Sequence, residues 1–258
     1  MSAGRTIDLN ADVGEADDTD GVAVERALLG VVTSAHVACG GHAGDEHSMR
    51  ATVQAALDSG VAVGAHPSYP DRAGFGRHAM DILGSDLTRS LSEQIGALVD
   101  VARSCGTRVR SVKAHGALYA EVAQGEEAFA SLLDAVHATC EPGTALVLQA
   151  GSPAVSLARG AGLVVYEEGF CDRAYSSNGG LVARGEPGSV YDDAALAARQ
   201  ALGLARGDTV TADDGTVLTV HVETLCLHGD SPNAVSMARA VRGALTGAGI
   251  RVLSVPLE

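Results

Sequence analysis

The sequence predicts an α/β fold in which seven or eight parallel strands close into a barrel surrounded by helices, as a single domain over residues 1–258. Two observations lead to this prediction. Apolar strand-like runs alternate with amphipathic helical stretches from end to end, and several runs finish in a histidine or carboxylate at a turn. Repeated β-then-α units imply parallel strands with right-handed crossovers. Polar residues on most strand ends favour a closed barrel over an open sheet, which would gather them at one switch point.

The individual elements follow from the apolar runs and from helix stop signals. Glycines mark the ends of most predicted helices, where a C-terminal cap belongs. The predicted strands are 5–10, 33–39, 61–65, 109–113, 144–149, 163–167, 223–227 and 250–254. The predicted helices are 46–59, 86–104, 126–140, 152–160, 193–206 and 232–247.

Three segments fall outside this alternation. Residues 209–219 hold two β-rich arms around Asp214 and Gly215, which predicts a small β-hairpin insertion. Residues 67–85 and 168–191 are long and rich in glycine, proline and charge. Loops of this length in a compact domain are usually lids or binding loops, so we expect both to lie beside the functional site.

Composition excludes several classes of function. The 258 residues carry a formal charge of −14, which repels phosphate backbones and anionic lipid, so neither nucleic acid nor a membrane is an expected partner. The five cysteines are scattered without a paired motif, which is typical of reduced thiols. No signal peptide precedes the first strand, and we expect a cytoplasmic protein.

The strand ends carry the residues that point to chemistry. Side chains alternate across a strand, so Asp8, Asn10 and Asp12 share one face, as do Lys113 and His115. Lys113 is the only lysine among 18 basic residues, and because burying an ion in a sheet is costly, we expect a functional role for it. Clustered carboxylates and histidines perturb each other's pKa, as general acid–base catalysis requires. The predicted catalytic residues are Asp12, His66, Lys113, His115 and His228.

Other histidines, cysteines and arginines have alternative interpretations. Asp12, His42 and His66 could form a three-ligand zinc site, although no His-Glu-x-x-His spacing supports it. Asp172 and Arg173 suit either a structural ion pair or a loop that binds a carboxylate. The sequence contains neither a P-loop nor a Gly-x-Gly-x-x-Gly motif. The residues expected to pack or to face solvent are His36, His137, His221, Cys39, Cys171 and Cys226.

Seven blocks along the chain, taken together, resemble the LamB/YcsF family. They occur in the family's order, and the resemblance covers residues 5–255. The blocks are 7–15 (IDLNADVGE), 38–45 (ACGGHAGD), 64–71 (GAHPSYPD), 74–77 (GFGR), 112–119 (VKAHGALY), 172–175 (DRAY) and 227–230 (LHGD). The resemblance implies a TIM-like (β/α) barrel of the glycoside hydrolase/deacetylase type.

The resemblance also implies an activity. Members of the family form one component of an ATP-dependent 5-oxoprolinase, which cleaves the lactam 5-oxo-L-proline to L-glutamate together with two partners, the B and C subunits. ATP would be a co-substrate with Mg²⁺, a divalent metal site is a weaker expectation, and self-association into a homo-oligomer stays open. The residues expected to bind the substrate or ATP are Asp8, Asn10, Glu15, His42, Asp45, Arg72, Arg77, Asp172, Arg173 and Asp230.

The chain departs from the usual family pattern near the expected pocket mouth. The family usually has phenylalanine at the position of Gly41, glycine at that of Ser68 and proline at that of Ala114, and the acidic run 16–20 replaces a longer aromatic stretch. These differences could alter substrate choice or partner docking. Two other interpretations stay open, a stand-alone metal-dependent amidase or deacetylase and a lactam-binding subunit whose partners perform the chemistry.

Overall fold

Seven parallel strands close into a barrel in the computed structural model, which describes residues 5–82, 84–125, 127–207, 209–229, 231 and 233–254. The strands are β1 (Thr6–Val13), β2 (Ser34–Ala38), β3 (Ala62–His66), β4 (Ser111–Val112), β5 (Ala145–Gln149), β6 (Val165–Phe170), β7 (Thr209–Thr211), β8 (Val217–Thr219), β9 (Thr224–Leu227) and β10 (Arg251–Val252). The barrel consists of β1 to β6 followed by β9, and it closes because β1 pairs with both β2 and β9. The predicted (β/α) barrel is confirmed, with seven strands in the ring.

Helices follow most of the barrel strands. They are α1 (Thr19–Leu29), α2 (Glu46–Asp58), α3 (Gly84–Ser104), α4 (Gly116–Gln124), α5 (Glu127–Thr139), α6 (Pro153–Gly160), α7 (Ala194–Gly207) and α8 (Ala234–Gly247). All six predicted helices are present, and α1 and α4 are additional. The apolar side of α1 is short, since its buried residues are Leu28 and Leu29. Helix α4 starts at a glycine directly after His115, whose side chain makes no capping hydrogen bond.

Strand β1 shows how the two-residue period of a strand separates the core from the site. Its odd-numbered residues from Ile7 to Val13 belong to the hydrophobic core. Asp8, Asn10 and Asp12 lie between them and contact polar groups of other barrel strands inside the ring. In β1, one face therefore stabilises the fold, and the other face supplies polar groups to the barrel interior.

Two predicted strand segments lie outside the ring. Strand β10 pairs in parallel with the start of β1, Thr6 opposite Arg251, and extends the sheet at one edge. Strands β7 and β8 form the predicted antiparallel hairpin, with Thr209 opposite Thr219. In the described ranges, no helix combines the length and the apolar character that a membrane crossing needs.

A close approach of two backbone segments sets the position of His115. Gly116 has φ +58° at the start of α4, and Gly76 has φ +63° in the loop after β3. The amide of Ala117 donates to the carbonyl of Gly76 at 3.0 Å. A Cβ on Gly116 would overlap the same carbonyl. Glycine is needed at 116 both for its left-handed backbone and for this contact.

Gly116→Ala should lower the free energy of unfolding by about 2–4 kcal/mol, because the added carbon contributes steric overlap as well as left-handed strain. Urea denaturation followed by circular dichroism measures the loss. Gly60→Ala is the matched control, since Gly60 has φ +69° and open space around it. That variant should lose only about 1 kcal/mol. Equal losses in the two variants would show that the contact with Gly76 contributes nothing.

Candidate active site

A cavity of about 930 Å³ opens at the carboxyl ends of the barrel strands. Glu15, Arg77 and Arg173 contribute to its walls. The structure also brings to it all the predicted catalytic residues, which are Asp12, His66, Lys113, His115 and His228. Polar groups from distant parts of the chain therefore meet in one place.

Lys113 lies at the floor of this cavity inside a cage of polar groups from three other strands. Its side chain is 2% exposed, and its Nζ lies 2.6 Å from Asp12 Oδ1 and 3.1 Å from Glu168 Oε1. The ammonium also donates to Asn10 Oδ1 at 3.1 Å and to Cys226 Sγ at 3.4 Å. Cys226 is thus a buried thiol, as expected, but one that contacts a charge. The cage joins β1, β6 and β9 to the end of β4.

The charges in this cage stabilise one another. Burial disfavours the ammonium of Lys113, but Asp12, Cys226 and Glu168 outweigh it and raise the pKa of Lys113 well above its usual value. Burial also disfavours the Asp12 carboxylate, but His66 and Lys113 hold the pKa of Asp12 well below its usual value. Lys113 is therefore a permanent cation and Asp12 a permanent anion at neutral pH.

His66 and His115 each direct one ring nitrogen toward the other ring. His66 Nδ1 lies 2.8 Å from the carbonyl oxygen of Lys113, and His115 Nε2 lies 3.0 Å from that of Phe75. A carbonyl only accepts, so each of these two nitrogens carries the proton of its ring. In neutral rings the other two nitrogens, His66 Nε2 and His115 Nδ1, carry lone pairs, and they lie 3.0 Å apart. His66 Nε2 also lies 3.3 Å from Asp12 Oδ2, to which the protonated ring would donate.

Glu15 and His42 complete a cluster around this pair. Glu15 Oε1 lies 2.8 Å from His42 Nε2, 3.3 Å from His115 Nδ1 and 3.8 Å from His66 Nε2. Burial, followed by repulsion from His66, lowers the pKa of both His42 and His115 to about 3, so these rings are neutral near pH 7. Burial raises the pKa of Glu15. The ligand atoms of all four residues lie within 4.8 Å of one another, a group that could hold a metal ion.

The predicted metal set of Asp12, His42 and His66 differs from this cluster in its carboxylate. Asp12 Oδ1 pairs with Lys113 and Asp12 Oδ2 lies 3.3 Å from His66 Nε2, whereas Glu15 brings its oxygen among all three imidazoles. A strand pattern shows which residues share a face, but Glu15 follows the end of β1 and its direction depends on the turn there.

Helix α1 holds that turn in place. The carboxylate of Glu25, on α1, accepts hydrogen bonds from three successive backbone amides, those of Gly14 at 2.9 Å, Glu15 at 2.9 Å and Ala16 at 3.0 Å. Glu25 therefore fixes the backbone that carries the Glu15 side chain. The sequence does not predict α1, yet α1 is the helix that sets the direction of the Glu15 carboxylate.

His228 forms a second histidine–carboxylate pair on the opposite side of the cavity. Its Nδ1 lies 3.0 Å from Asp172 Oδ2, and its backbone amide donates to the same oxygen at 2.9 Å. Its ring stacks on Phe170 with the two centroids 5.9 Å apart. Burial disfavours the imidazolium, but the charge and hydrogen bond of Asp172 raise the pKa of His228. His228 is therefore held in place at the cavity wall in surroundings that favour its protonated form.

Two residues predicted to bind substrate or ATP are buried beneath the cavity. Asp8 is fully buried and accepts hydrogen bonds from Ser34 Oγ at 2.7 Å and from Thr224 Oγ1. The amide of Asn10 donates to Thr224 Oγ1 at 2.7 Å and to Glu168 Oε1 at 3.0 Å. Neither residue lines the cavity, because both lie one or two strand positions too deep. Asp8 and Asn10 instead hold the barrel interior together.

Two further predicted residues are not found at the site. Asp45 is exposed and caps α2, where its carboxylate accepts from the amide of Ser48 at 2.8 Å. Arg72 is exposed, and its guanidinium donates to two backbone carbonyls of the loop after β2, at 2.7 and 3.3 Å. A loop position near a strand end does not determine where a side chain points. Asp230 lies outside the described residues.

Arg77 and Arg173 do line the cavity, at its wall. The Arg77 guanidinium lies 5.0 Å from the ring centroid of Phe75, within cation–π range. Arg173 is buried and donates to the backbone carbonyls of Ser189 at 3.1 Å and Val182 at 2.7 Å. Arg173 thereby ties the long loop after β6 to the barrel mouth.

Sequence reasoning misses two residues of the site. Glu168 is a partner of Lys113, but the predicted strand ends at 167, one residue before it, whereas β6 continues to Phe170. Arg184 lines the cavity from the long loop after β6, which has no pattern that would single it out. The adjacent acids at 167 and 168 within an apolar run are the available signal for Glu168.

One of the three departures from the family pattern reaches the cavity. Ala114 lines it, whereas Gly41 and Ser68 are buried behind it, contrary to the expectation that all three lie near the pocket mouth. The amide of Ser68 donates to Gln94 Oε1 at 3.0 Å. A Cβ on Gly41 would overlap both Ser68 Oγ and Gln94 Oε1. Positions 41 and 68 therefore share one small space against α3.

Asp172→Asn should remove a stabilisation that depends on pH. His228 has a raised pKa in the folded chain, so its contribution is complete below about pH 6.5 and is lost as pH rises through that raised pKa. Despite burial, His228 lowers the pKa of Asp172, whose contribution is complete above about pH 3.9 and lost as pH falls through that lowered pKa. The difference in unfolding free energy should peak between these limits, at about 1–3 kcal/mol.

Urea denaturation of wild type and variant at several pH values measures this difference. Asp100→Asn is the control, because Asp100 is 79% exposed on α3 and pairs only with a neighbouring surface arginine among the contacts described. Its effect should stay small at every pH. A difference for Asp172→Asn that does not change with pH would contradict the assignment of the ion pair.

Known proteins resemble this chain over its whole length. It is 50% identical over 244 residues to the A subunit of a 5-oxoprolinase from Paracidovorax citrulli, a match that covers 95% of this chain and 97% of that protein. It is 46% identical over 246 residues to the corresponding 5-oxoprolinase component of Streptomyces avermitilis, covering 95% and 98%.

Solved structures resemble the fold as well. The crystal structure of a lactam utilization protein from Thermus thermophilus has a TM-score of 0.88 at 40% identity and covers 96% of this chain and 99% of that one. A family 4 carbohydrate esterase from Streptomyces lividans, at 13% identity and a TM-score of 0.52 over 97% and 93% of the two chains, shares the fold alone. A sequence model described as the LamB/YcsF family matches residues 7–257. The chain belongs to the LamB/YcsF family.

Proposed function

We propose that this chain is the A subunit of an ATP-dependent 5-oxoprolinase, which opens the lactam 5-oxo-L-proline to L-glutamate with hydrolysis of ATP and acts with the B and C subunits. The names of its relatives support the substrate class. The single observation that carries the proposal is the cavity in which a proton acceptor, a proton donor and a fixed cation face a common space. In this proposal the whole chain forms one barrel domain and works in the cytoplasm.

The reaction makes specific demands on such a cavity. Ring opening adds the oxygen of water to the amide carbon and breaks the carbon–nitrogen bond. A proton leaves the water, and a proton reaches the departing nitrogen. A five-membered lactam is a poor electrophile and its opening is thermodynamically uphill, so in this proposal ATP phosphorylates the amide oxygen and ADP leaves. Water then opens the ring to an acyl phosphate, and a second water hydrolyses the acyl phosphate to L-glutamate and phosphate.

The two histidine groups divide the proton transfers between them. Glu15, His66 and His115 form the side that accepts a proton from water, because their free oxygen and nitrogen atoms face the cavity. His228 is the donor to the leaving nitrogen, because Asp172 stabilises its protonated form. General acid–base catalysis of this kind contributes about 10²–10⁴-fold in rate.

Lys113 supplies fixed positive charge beneath the reacting amide. Its ammonium is held by Asp12 and Glu168 and needs no reorganisation as negative charge develops on the substrate. Pairing with Lys113 makes Asp12 a weak base, so we assign it to holding this charge rather than to activating water. The Glu15 cluster then takes the role of the base.

The cavity wall would bind the anionic parts of the substrates. Arg77 and Arg173 line it and present guanidinium groups suited to the lactam carboxylate or to a phosphate. The Arg72 guanidinium donates to the carbonyl of Gly44 instead, so we do not assign it this role. Since the sequence has no P-loop, ATP with its Mg²⁺ reaches the amide through this same cavity, beside the partner subunits.

The direct test is a complex of this chain with the B and C subunits, assayed with 5-oxo-L-proline and ATP. L-Glutamate and ADP should form in equal amounts, and omitting any one of the three chains should abolish both. L-Glutamate formation by the isolated chain without ATP would instead support a stand-alone metal-dependent amidase.

Lys113→Met should lower the kcat of the complex by at least about 100-fold, because it removes the fixed charge. Activity within a few-fold of wild type would contradict the role of the lysine. This change also leaves two buried carboxylates without their cation, so circular dichroism must show that the variant folds.

His228→Gln offers a second test that removes no member of the buried cage. It should reduce kcat by about 10²–10⁴-fold, whereas His137→Gln, an exposed change on α5, should leave kcat unchanged. Full activity after joint replacement of His66, Lys113 and His115 would show that the chain is a lactam-binding subunit whose partners perform the chemistry.

A further inference from the structure

We propose that Glu15, His66 and His115 bind one divalent transition-metal ion, of which Zn²⁺ is the best match, with an open coordination position directed into the cavity. The site is described by its own geometry, and the proposal does not depend on the lactam, ATP or partner subunits. The same three atoms are the proton acceptors of the proposed function; with an ion bound they would act as its ligands, and the ion would supply the activation of water instead.

The lone pairs of Glu15, His66 and His115 are directed toward one another. Backbone carbonyls fix the protons of His66 and His115 on the nitrogens that point away from the cluster. In neutral rings the two remaining nitrogens lie 3.0 Å apart with lone pairs directed at each other, Glu15 Oε1 is 3.3 Å from His115 Nδ1, and Asp12 Oδ2 is 3.3 Å from His66 Nε2. These acceptors repel one another unless something positive lies among them. A metal ion supplies that charge, and a single shared proton is the competing occupant.

The separations among the three ligand atoms are close to those in a zinc site. A tetrahedral zinc site with bonds of about 2.0–2.2 Å has ligand atoms about 3.3 Å apart. The three separations among Glu15 Oε1, His66 Nε2 and His115 Nδ1 are 3.0, 3.3 and 3.8 Å. The three separations therefore bracket the spacing that such an ion requires.

Hydrogen bonds from surrounding groups position the three ligand residues. Ligating histidines in proteins usually donate their second nitrogen to a backbone carbonyl or carboxylate, as both His66 and His115 do. His42 Nε2 lies 2.8 Å from the Glu15 carboxylate, and Glu25 binds the backbone of Glu15. These contacts hold the three ligand atoms in place before any ion arrives.

The chemistry of the donors selects the ion and its use. Two imidazoles and one carboxylate suit Zn²⁺ and its neighbours among the transition metals better than Mg²⁺ or Ca²⁺, which prefer oxygen ligands. Glu15, His66 and His115 all line the cavity, whereas His42 does not, so the fourth position of the ion faces a substrate. A zinc ion held by three protein ligands makes bound water acidic enough to ionise near neutral pH.

The test uses the full chain, stripped of metal with a chelator and titrated with Zn²⁺ in a calorimeter, with Co²⁺ as a spectroscopic probe. The expected result is one equivalent of Zn²⁺ bound, visible absorption bands of tetrahedral Co²⁺, and a Tm that rises with Zn²⁺ concentration. No lactam or nucleotide is present, so this result can fail while the proposed function holds, and the reverse is equally possible.

Two variants each remove one ligand nitrogen and keep the neighbouring hydrogen bond, and a third removes the charge of the ligand carboxylate. His66→Asn retains a donor toward Lys113, His115→Gln retains one toward Phe75, and Glu15→Gln keeps the shape of the side chain. Each should weaken Zn²⁺ binding by at least about 100-fold, since even substitutions behind the ligands cost about 10–100-fold. His137→Asn, on the exposed side of α5, should bind as wild type does.

Absence of saturable Zn²⁺ binding by the stripped wild-type chain would overturn the proposal and leave the shared proton as the occupant. Binding that persists unchanged in the ligand variants would overturn it as well, because the ion would then lie elsewhere. Circular dichroism without metal identifies any variant that fails to fold. Glu15→Gln, the mildest change, decides the question in that case.

Discussion

The buried cation Lys113 is the interaction on which the rest of the structure depends. An ion removed from water costs several kcal/mol, and this cost is offset only when all of its partners are in place. Here the partners come from β1, β6 and β9, while the lysine itself follows β4. The cage can therefore form only when the ring of strands has closed. Closure of the barrel and preparation of the site are the same event.

The cage also explains why the cavity holds two separate proton systems. Lys113 and Asp12 neutralise each other at the floor. One wall carries the Glu15 cluster, where burial keeps His42 and His115 neutral. The other carries His228, which Asp172 keeps ready to be protonated. The charge of Lys113 at the floor is fixed, whereas the histidines of the two walls favour opposite protonation states.

Much of this arrangement could be predicted from sequence, because strands obey a simple rule. The alternation of side chains correctly grouped Asp8, Asn10 and Asp12, and the isolated lysine marked the centre of the site. The order of apolar runs was enough to predict a closed parallel barrel, which the seven-strand ring confirms. Helices with a broad apolar face, such as α3, were equally clear.

The sequence could not show how deep in the barrel a side chain lies or in which direction it points. Asp8 lies on the expected face but too deep to reach the cavity. Asp45 and Arg72 follow strand ends, yet one caps a helix and the other binds backbone carbonyls. Helix α1 has a short apolar side, so its role in aiming Glu15 through Glu25 becomes visible only in three dimensions.

The shared space behind the cavity couples positions that are far apart in the chain. A Cβ on Gly41 would overlap the side chains of Ser68 and Gln94, so a larger residue at 41 requires both of them to move. Gln94 also binds the backbone amide and carbonyl of Ser68 and thereby fixes the chain after β3 against α3. A substitution at 41 is therefore expected to be tolerated only together with changes at 68 or 94.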